Sequence, residues 1–279
     1  MPRIMLEARR VAASLQHGLH GRRRAGPGET FWQFRPFVTG EAAGRIDWRR
    51  SGRDDRLFVR EREWESPHAA WLWIDRSASM AFGSDLAGVP KIERALVLGL
   101  ALADALVDAG ERVGLLGLKA PVASRRIAEA IAETYAGDGR GENDDLPPAS
   151  SVGRLDDILL IGDFLSPLSA IVTQVEALSS RGARGHLAMI VDPVEETFPF
   201  GGQAVLAEEE AGLRLRIGDA TAWGRVYRER MAAHRAGIAE LARRRGWTFT
   251  LHHTDRPATE PALRLLTLVA GARATGASA

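Results

Sequence analysis

Short, largely apolar stretches recur along this chain and alternate with longer segments of helical character. Residues 70–74, 157–161 and 186–191 have strand length, and an aspartate follows each of them within two residues. Strands without polar alternation must be covered on both faces, which is typical of a parallel sheet between two layers of helices. The pattern therefore predicts an α/β fold with a doubly wound, mainly parallel sheet.

The predicted helices lie between these strands. Residues 91–108 follow Pro90 and end before Gly110, which are common start and stop signals. This helix is apolar on nearly all sides, so we expect it to be buried. The remaining predicted elements are helices at 3–20, 124–135, 168–180, 263–270 and between Thr221 and Gly246, strands at 112–118 and 247–252, and a β-hairpin within 202–217.

Three segments follow from this reading. Residues 1–27 are predicted to form an N-terminal helical arm and a basic linker. Residues 28–66 are predicted to form a small β-rich block, because aromatic clusters alternate there with turn-forming Gly and Asp residues. Residues 67–275 are predicted to form the α/β domain.

The charge balance limits the classes of partner. The chain has 37 basic and 36 acidic residues, so its net charge of +1 gives no reason to expect nucleic-acid or membrane-surface binding. It contains no cysteine, which excludes disulfides and Cys-based zinc sites. The longest apolar run, residues 95–103, is far shorter than the roughly 20 residues of a membrane helix. With charges also near the N-terminus, we expect a cytoplasmic protein without membrane insertion.

Two predicted strands end in acids that suit a metal ion. Asp75 begins the sequence Asp75-x-Ser77-x-Ser79, and Asp163 follows the strand at 157–161. Ligands of open α/β sheets sit at the carboxyl ends of strands. Carboxylate and hydroxyl oxygens are ligands that a hard dication prefers. We therefore expect the two strands to be adjacent and parallel, with the two carboxylates close together.

These residues resemble a known site. Asp75-x-Ser77-x-Ser79, followed by Met80, is similar to the first loop of the metal-ion-dependent adhesion site of von Willebrand factor A domains, and Asp163 is similar to its third loop. The resemblance implies a von Willebrand factor A-like, Rossmann-like core. It also implies Mg²⁺ or Mn²⁺ bound by these two carboxylates and two hydroxyls.

The second loop of that site supplies a threonine, for which this chain has no clear counterpart. Thr134 falls within a predicted helix. The predicted loop at 137–153 offers Ser150 and Ser151 instead. The sequence therefore predicts an incomplete ligand set.

A longer resemblance lies upstream of this core. It is carried by the ordered groups Gly40-Glu41, Arg45-Ile46-Asp47-Trp48-Arg49, Ser51-Gly52-Arg53, Leu57-Phe58-Val59-Arg60-Glu61 and Glu65. This block resembles the signature of the bacterial domain-of-unknown-function 58 family, which places it ahead of a von Willebrand factor A-like core. Typical members have Asp where this chain has Glu41, and many carry membrane helices ahead of the block.

The family resemblance implies a non-enzymatic protein-interaction module that is a partner or adaptor of a MoxR-type AAA+ ATPase and its client protein. The candidates for a partner surface in the block are Arg45, Asp47, Trp48, Arg49, Arg53 and Glu65. The alternative is that Trp48 packs in the interior and that ion pairs brace the block on the core.

Two other functions stay open. The chain could be a Mg-dependent hydrolase or phosphatase that uses Asp75 and Asp163, although such an enzyme needs a nearby base or nucleophile and Asp192 is the further acid on these loops. It could also be a scaffold with a dead metal site, in which Ser77 and Ser79 bond backbone amides. Walker A, Gly-x-Gly-x-x-Gly and Gly-x-Ser-x-Gly motifs are absent from the sequence.

Overall fold

The computed structural model describes residues 1–20, 31–52, 56–62, 68–137, 145–150, 152–207 and 214–276. The helices are α1 (Pro2–His20), α2 (Trp48–Ser51), α3 (Lys91–Asp108), α4 (Ile127–Gly137), α5 (Leu168–Ser179), α6 (Pro193–Thr197), α7 (Ala220–Arg244) and α8 (Thr259–Gly276). The strands are β1 (Phe31–Pro36), β2 (Phe58–Arg62), β3 (Ala69–Ile74), β4 (Arg112–Leu115), β5 (Lys119–Val122), β6 (Asp157–Gly162), β7 (Arg184–Val191), β8 (Ala204–Ala207), β9 (Arg214–Ile217) and β10 (Thr248–His253).

The chain divides into two compact units. The first consists of Met1–Gly18 and His68–Ala279, and the second of Leu19–Pro67. The first unit is a mixed α/β structure, whereas the second contains the antiparallel pair β1 and β2. Among the helices in the described ranges, none combines the length and the hydropathy that crossing a bilayer requires.

Six strands of the first unit form one sheet in the order β10-β7-β6-β3-β4-β5. Every neighbouring pair is parallel except β4 with β5. The predicted mainly parallel α/β sheet is therefore confirmed, and the predicted hairpin is present as β8 with β9. The single strand predicted at 112–118 is wrong, because the chain reverses at Gly117, whose φ of 74° suits a residue without a side chain.

Helices cover both faces of this sheet. Successive residues of a strand point to opposite sides, so neighbouring residues of one strand pack against different layers of helices. In β6, Leu159 and Ile161 join the apolar cluster that includes residues of α1, α3, α4 and α8. Ile158 and Leu160 join the cluster on the other face, which includes residues of α5 and α7. The near-complete burial of β6 explains why its sequence lacks polar alternation.

The first helix packs with the α/β unit. Its buried face consists of Ile4, Ala8, Val11, Ala12 and Leu15. Ion pairs flank this face, since Glu7 pairs with Arg94 of α3 and Arg9 pairs with Glu129 of α4. The predicted N-terminal helix is therefore present, and residues 1–18 belong to the same compact unit as the α/β core, while the predicted segment boundaries stay a prediction.

This packing predicts that truncation of α1 side chains destabilises the whole α/β unit. Leu15 is 1% exposed, so Leu15→Ala should lower the free energy of unfolding by roughly 2–5 kcal/mol. Leu6 is 54% exposed on the same helix, and Leu6→Ala should change it by about 0.5 kcal/mol or less. Urea denaturation measures both values, and equal losses in the two variants would contradict the docked position of α1.

Candidate functional site

The candidate site lies where β3 and β6 end. These two strands are adjacent and parallel, with Ile74 opposite Ile161, as the sequence predicts. From β3 the chain first passes to β4 on one side and then crosses to β6 on the other. The loops that follow β3 and β6 therefore diverge at this point, which is where open α/β sheets bind ligands.

Asp75 occupies the end of β3 in a buried position. Its Oδ1 accepts a hydrogen bond of 2.8 Å from the backbone N–H of Ser77, while its Oδ2 is buried without a hydrogen-bond partner among the described residues. Gly162 allows the two strand ends to approach, because a Cβ there would lie 2.6 Å from the Asp75 Cβ. Burial, followed by the charge of Asp163, raises the pKa of Asp75 to about 7.

The two serines connect Asp75 to Asp163. The Oγ atoms of Ser77 and Ser79 lie 3.0 Å apart. The Ser79 hydroxyl donates a hydrogen bond of 2.7 Å to Oδ2 of Asp163. The structure therefore brings all four residues of the predicted set together in one hydrogen-bonded cluster.

The backbone beyond Asp163 adopts an uncommon conformation. Phe164 has a φ of 51°, in the left-handed region that side chains disfavour. His234 of α7 stabilises this turn through a hydrogen bond of 2.7 Å between its Nε2 and the carbonyl oxygen of Phe164. The sequence reading missed His234, because a helix more than 60 residues away supplies it.

Sequence reasoning also missed Lys91, which lies at the centre of the cluster. Its side chain is 0% exposed, and its Nζ donates to Oδ2 of Asp163 at 2.8 Å and to Oε1 of Glu195 at 2.5 Å. Burial alone would lower the pKa of Lys91, but the two carboxylates outweigh burial and raise it. One signal was available, since a cation in the first turn of a helix opposes the helix dipole and needs compensating acids.

Glu195 and Asp192 fix the far side of the cluster. Asp192 follows β7, and its side chain accepts a hydrogen bond from the backbone N–H of Val194. In return, Oε2 of Glu195 accepts from the backbone N–H of Asp192 at 2.9 Å. The two hydrogen bonds form a capping box at the start of α6. Asp192 also accepts from the hydroxyl and the backbone N–H of Ser84. The ends of β3, β6 and β7 are therefore joined through a shared set of charged side chains.

The predicted dication fits one side of this cluster and not the other. The unpartnered Oδ2 of Asp75 could accept a cation, but Oδ2 of Asp163 already accepts from Ser79 and from the Lys91 ammonium. With Mg–O distances of about 2.1 Å, an ion bound to that oxygen would lie within about 5 Å of the ammonium. Charges of +2 and +1 at that separation repel by several kcal/mol even at an effective dielectric of about 20.

Thr134, a candidate for the second-loop threonine, is engaged within its own helix. Thr134 lies in α4, as predicted, and its hydroxyl donates to the carbonyl oxygen of Ala130 in the same helix. Ser151 lies outside the described residues. Within the described ranges, no group of three or more His, Cys, Asp or Glu residues could hold a metal ion. The residues present therefore do not fit a dication bound directly to Asp163, and the Mg²⁺ or Mn²⁺ site stays a prediction.

The predicted partner surface lies in the second unit. Asp47 caps α2 by accepting from the N–H of Arg50 at 2.9 Å. Trp48 is 65% exposed. Arg49 is exposed as well, and Arg45 ends a short 3-10 turn. Arg53 and Glu65 lie outside the described residues, so the role of the set stays a prediction.

Fold and site together define a class of protein. The first unit is a mainly parallel α/β domain that gathers charged and hydroxyl side chains where its strand order switches. A family-wide sequence model described as "Protein of unknown function DUF58" matches residues 33–237. The chain belongs to this family.

Uncharacterized proteins of Mycobacterium bovis and Mycobacterium tuberculosis are 26% identical over 257 residues, which cover 86% of this chain and 79% of each relative. Among solved structures, the conserved hypothetical protein BatB from Bacteroides thetaiotaomicron matches with a TM-score of 0.45 and 15% identity. That match covers 73% of this chain and 99% of the other.

The raised pKa of Asp75 predicts a pH-dependent cost to folding. Its carboxyl titrates near 3.8 when unperturbed and near 7 in the fold, so the folded protein binds the extra proton between these values. Stability should therefore fall as the pH rises through this window, by up to about 4 kcal/mol from this group.

The substitution Asp75→Asn removes this titration. The difference in unfolding free energy between Asp75→Asn and the native protein should grow in favour of the variant between about pH 4 and pH 8. Asp85→Asn, at an exposed carboxylate of the same loop, should show no such growth. Urea denaturation across the pH series measures both, and a difference that stays constant with pH would refute the assignment.

The buried charges predict a second stability effect. Lys91→Met removes the ammonium and leaves Asp163 and Glu195 buried without their cation, which should cost roughly 3–5 kcal/mol of unfolding free energy. Lys119→Met, at an exposed lysine of β5, should cost about 0.5 kcal/mol or less. Chemical denaturation at neutral pH compares the two, and a loss at Lys91 as small as that at Lys119 would speak against the buried network.

Proposed function

We propose that this protein is a non-enzymatic protein-interaction module of the von Willebrand factor A type, which binds a partner at the carboxyl edge of its main sheet. One observation carries the proposal. The loops that follow three neighbouring strands each present an exposed large apolar side chain: Phe82 after β3, Leu165 after β6 and Phe200 beyond β7 are 39%, 40% and 44% exposed.

Two of these residues, Phe82 and Leu165, lie close to the charged cluster. The Phe82 ring centroid lies 5.9 Å from Nζ of Lys91, and the backbone N–H of Leu165 donates to Oδ1 of Asp163. Single exposed apolar residues are ordinary on a protein surface, whereas apolar residues gathered around a polar centre are typical of protein-binding sites. The arrangement therefore favours recognition of another protein over a structural role alone.

The same contacts bear on the alternative function as a hydrolase. The Ser79 hydroxyl donates to Oδ2 of Asp163, and the same oxygen also accepts from the Lys91 ammonium, so this carboxylate oxygen is already engaged. Lys91 itself stays charged, because its two acidic neighbours raise its pKa. Lys91 therefore does not suit the role of general base, whereas Asp75, whose pKa is raised to about 7, keeps the alternative hydrolase using Asp75 and Asp163 open.

The proposed partner is a MoxR-type AAA+ ATPase together with its client protein, in the cytoplasm. This part of the proposal is supported by the family resemblance of the 28–66 block. An AAA+ ATPase gene next to the gene of this chain would identify the protein to test. Binding of the purified ATPase to this chain then measures the interaction directly.

Variants of the exposed apolar side chains locate the binding surface. Leu165→Asp and Phe82→Ser, at the carboxyl edge, should each weaken binding of the ATPase by about tenfold or more, which corresponds to about 1.4 kcal/mol. Val122→Asp, on β5 opposite Val113 near the amino ends of the parallel strands, is the matched control at a 49% exposed residue and should leave binding unchanged. Isothermal titration calorimetry measures the affinities, and melting curves confirm that the variants fold.

Two results would count against the proposal. If the edge variants bind the ATPase as tightly as the native protein, the carboxyl edge is not the docking surface. If the native protein binds no AAA+ ATPase at all, the proposed partner is wrong.

A further inference from the structure

Lys91 is held in a pocket built for an ammonium group. Two of its donors reach Asp163 and Glu195, and the Phe82 ring faces the nitrogen from 5.9 Å. The main chain fixes its position, because the N–H of Lys91 donates to the carbonyl oxygen of Phe82 at 2.9 Å. The side chain is 0% exposed, so the charge is a permanent part of the interior.

The acids around this ammonium are fixed independently of it. Glu195 is held by the capping box of α6, and Asp163 accepts from Ser79 and from the backbone N–H of Leu165. These two carboxylates contact the lysine directly, and the charge of Asp75 interacts with that of Asp163 nearby. A buried group of acids of this kind requires a cation, and the chain itself supplies one.

We propose that the ammonium of Lys91 is the resident cation of this site. It occupies the position beside Asp163 that a divalent ion would otherwise take. The native protein therefore binds neither Mg²⁺ nor Mn²⁺ at this cluster, and removal of the ammonium turns the cluster into a divalent-metal site. The inference concerns the charge of the site and does not depend on which protein binds at this edge.

The test compares metal binding by the native protein and by lysine variants. Lys91→Ala removes the charge and leaves room for a hydrated ion, whereas Lys91→Met removes the charge and keeps most of the volume. Lys119→Ala is the control, because it removes the exposed lysine of β5. Titration calorimetry and melting curves with MnCl₂ and MgCl₂ up to millimolar concentration measure binding without any assay of activity.

The expected results differ between the proteins. The native protein and Lys119→Ala should show no saturable binding and no metal-dependent rise in melting temperature. Lys91→Ala should bind Mn²⁺ at least about tenfold more tightly than the native protein and should melt at a higher temperature in its presence. Adding Asp163→Asn to Lys91→Ala should abolish both effects, because it removes the carboxylate that would bind the ion.

Three results would overturn the inference. One is saturable metal binding by the native protein that Asp163→Asn abolishes. Another is a folded Lys91→Ala variant that binds no metal, since that result would show that the ammonium is not what excludes the ion. If the lysine variants fail to fold, refolding in millimolar Mn²⁺ replaces the titration: recovery of a cooperative melt supports the inference, and failure of both variants to recover overturns it.

Discussion

Asp163 and Glu195 follow different strands of the sheet, and both accept hydrogen bonds from the fully buried ammonium of Lys91. Removing three charged groups from water costs several kcal/mol for each, and mutual attraction offsets this cost when the geometry is good. Here Ser79, the capping box of α6 and the backbone of the β6 loop satisfy the remaining acceptors. The positions of the loops at the carboxyl edge therefore depend on one lysine.

This dependence explains the placement of the exposed groups. The loop from β3 to α3 is held at two points, because the hydroxyl of Ser79 donates to Asp163 and that of Ser84 donates to Asp192. Phe82 lies between these two anchors and reaches solvent while its ring faces the ammonium. A rigid polar centre thus holds an apolar rim in place, and a preorganised surface loses less conformational entropy when it binds a partner.

Asp75 has the opposite environment from Asp163. Both carboxylates are buried, but Asp163 has a cation at 2.8 Å, whereas Oδ2 of Asp75 has no hydrogen-bond partner in the described part of the chain. The unequal environments follow from the sheet, since Lys91 enters from α3 on the side of β6 and β7. A site that resembles a metal-ion-dependent adhesion site can therefore have its positive charge supplied by the protein.

The sequence by itself determined the features that depend on neighbouring residues. Apolar stretches without alternation predicted β3, β6 and β7, and Pro90 and Gly110 bounded α3, because these signals act within a few residues. It also brought Asp75, Ser77, Ser79 and Asp163 into one predicted site, since parallel strands end at the same edge.

The tertiary structure alone decided what those groups contact. Lys91 and Asp163 are 72 residues apart, and Lys91 and Glu195 are 104 apart, so no local pattern reveals that they share a buried site. The exposure of Trp48 was also undecided by sequence, because an aromatic side chain in a short helix can face either the interior or solvent until its neighbours are in place.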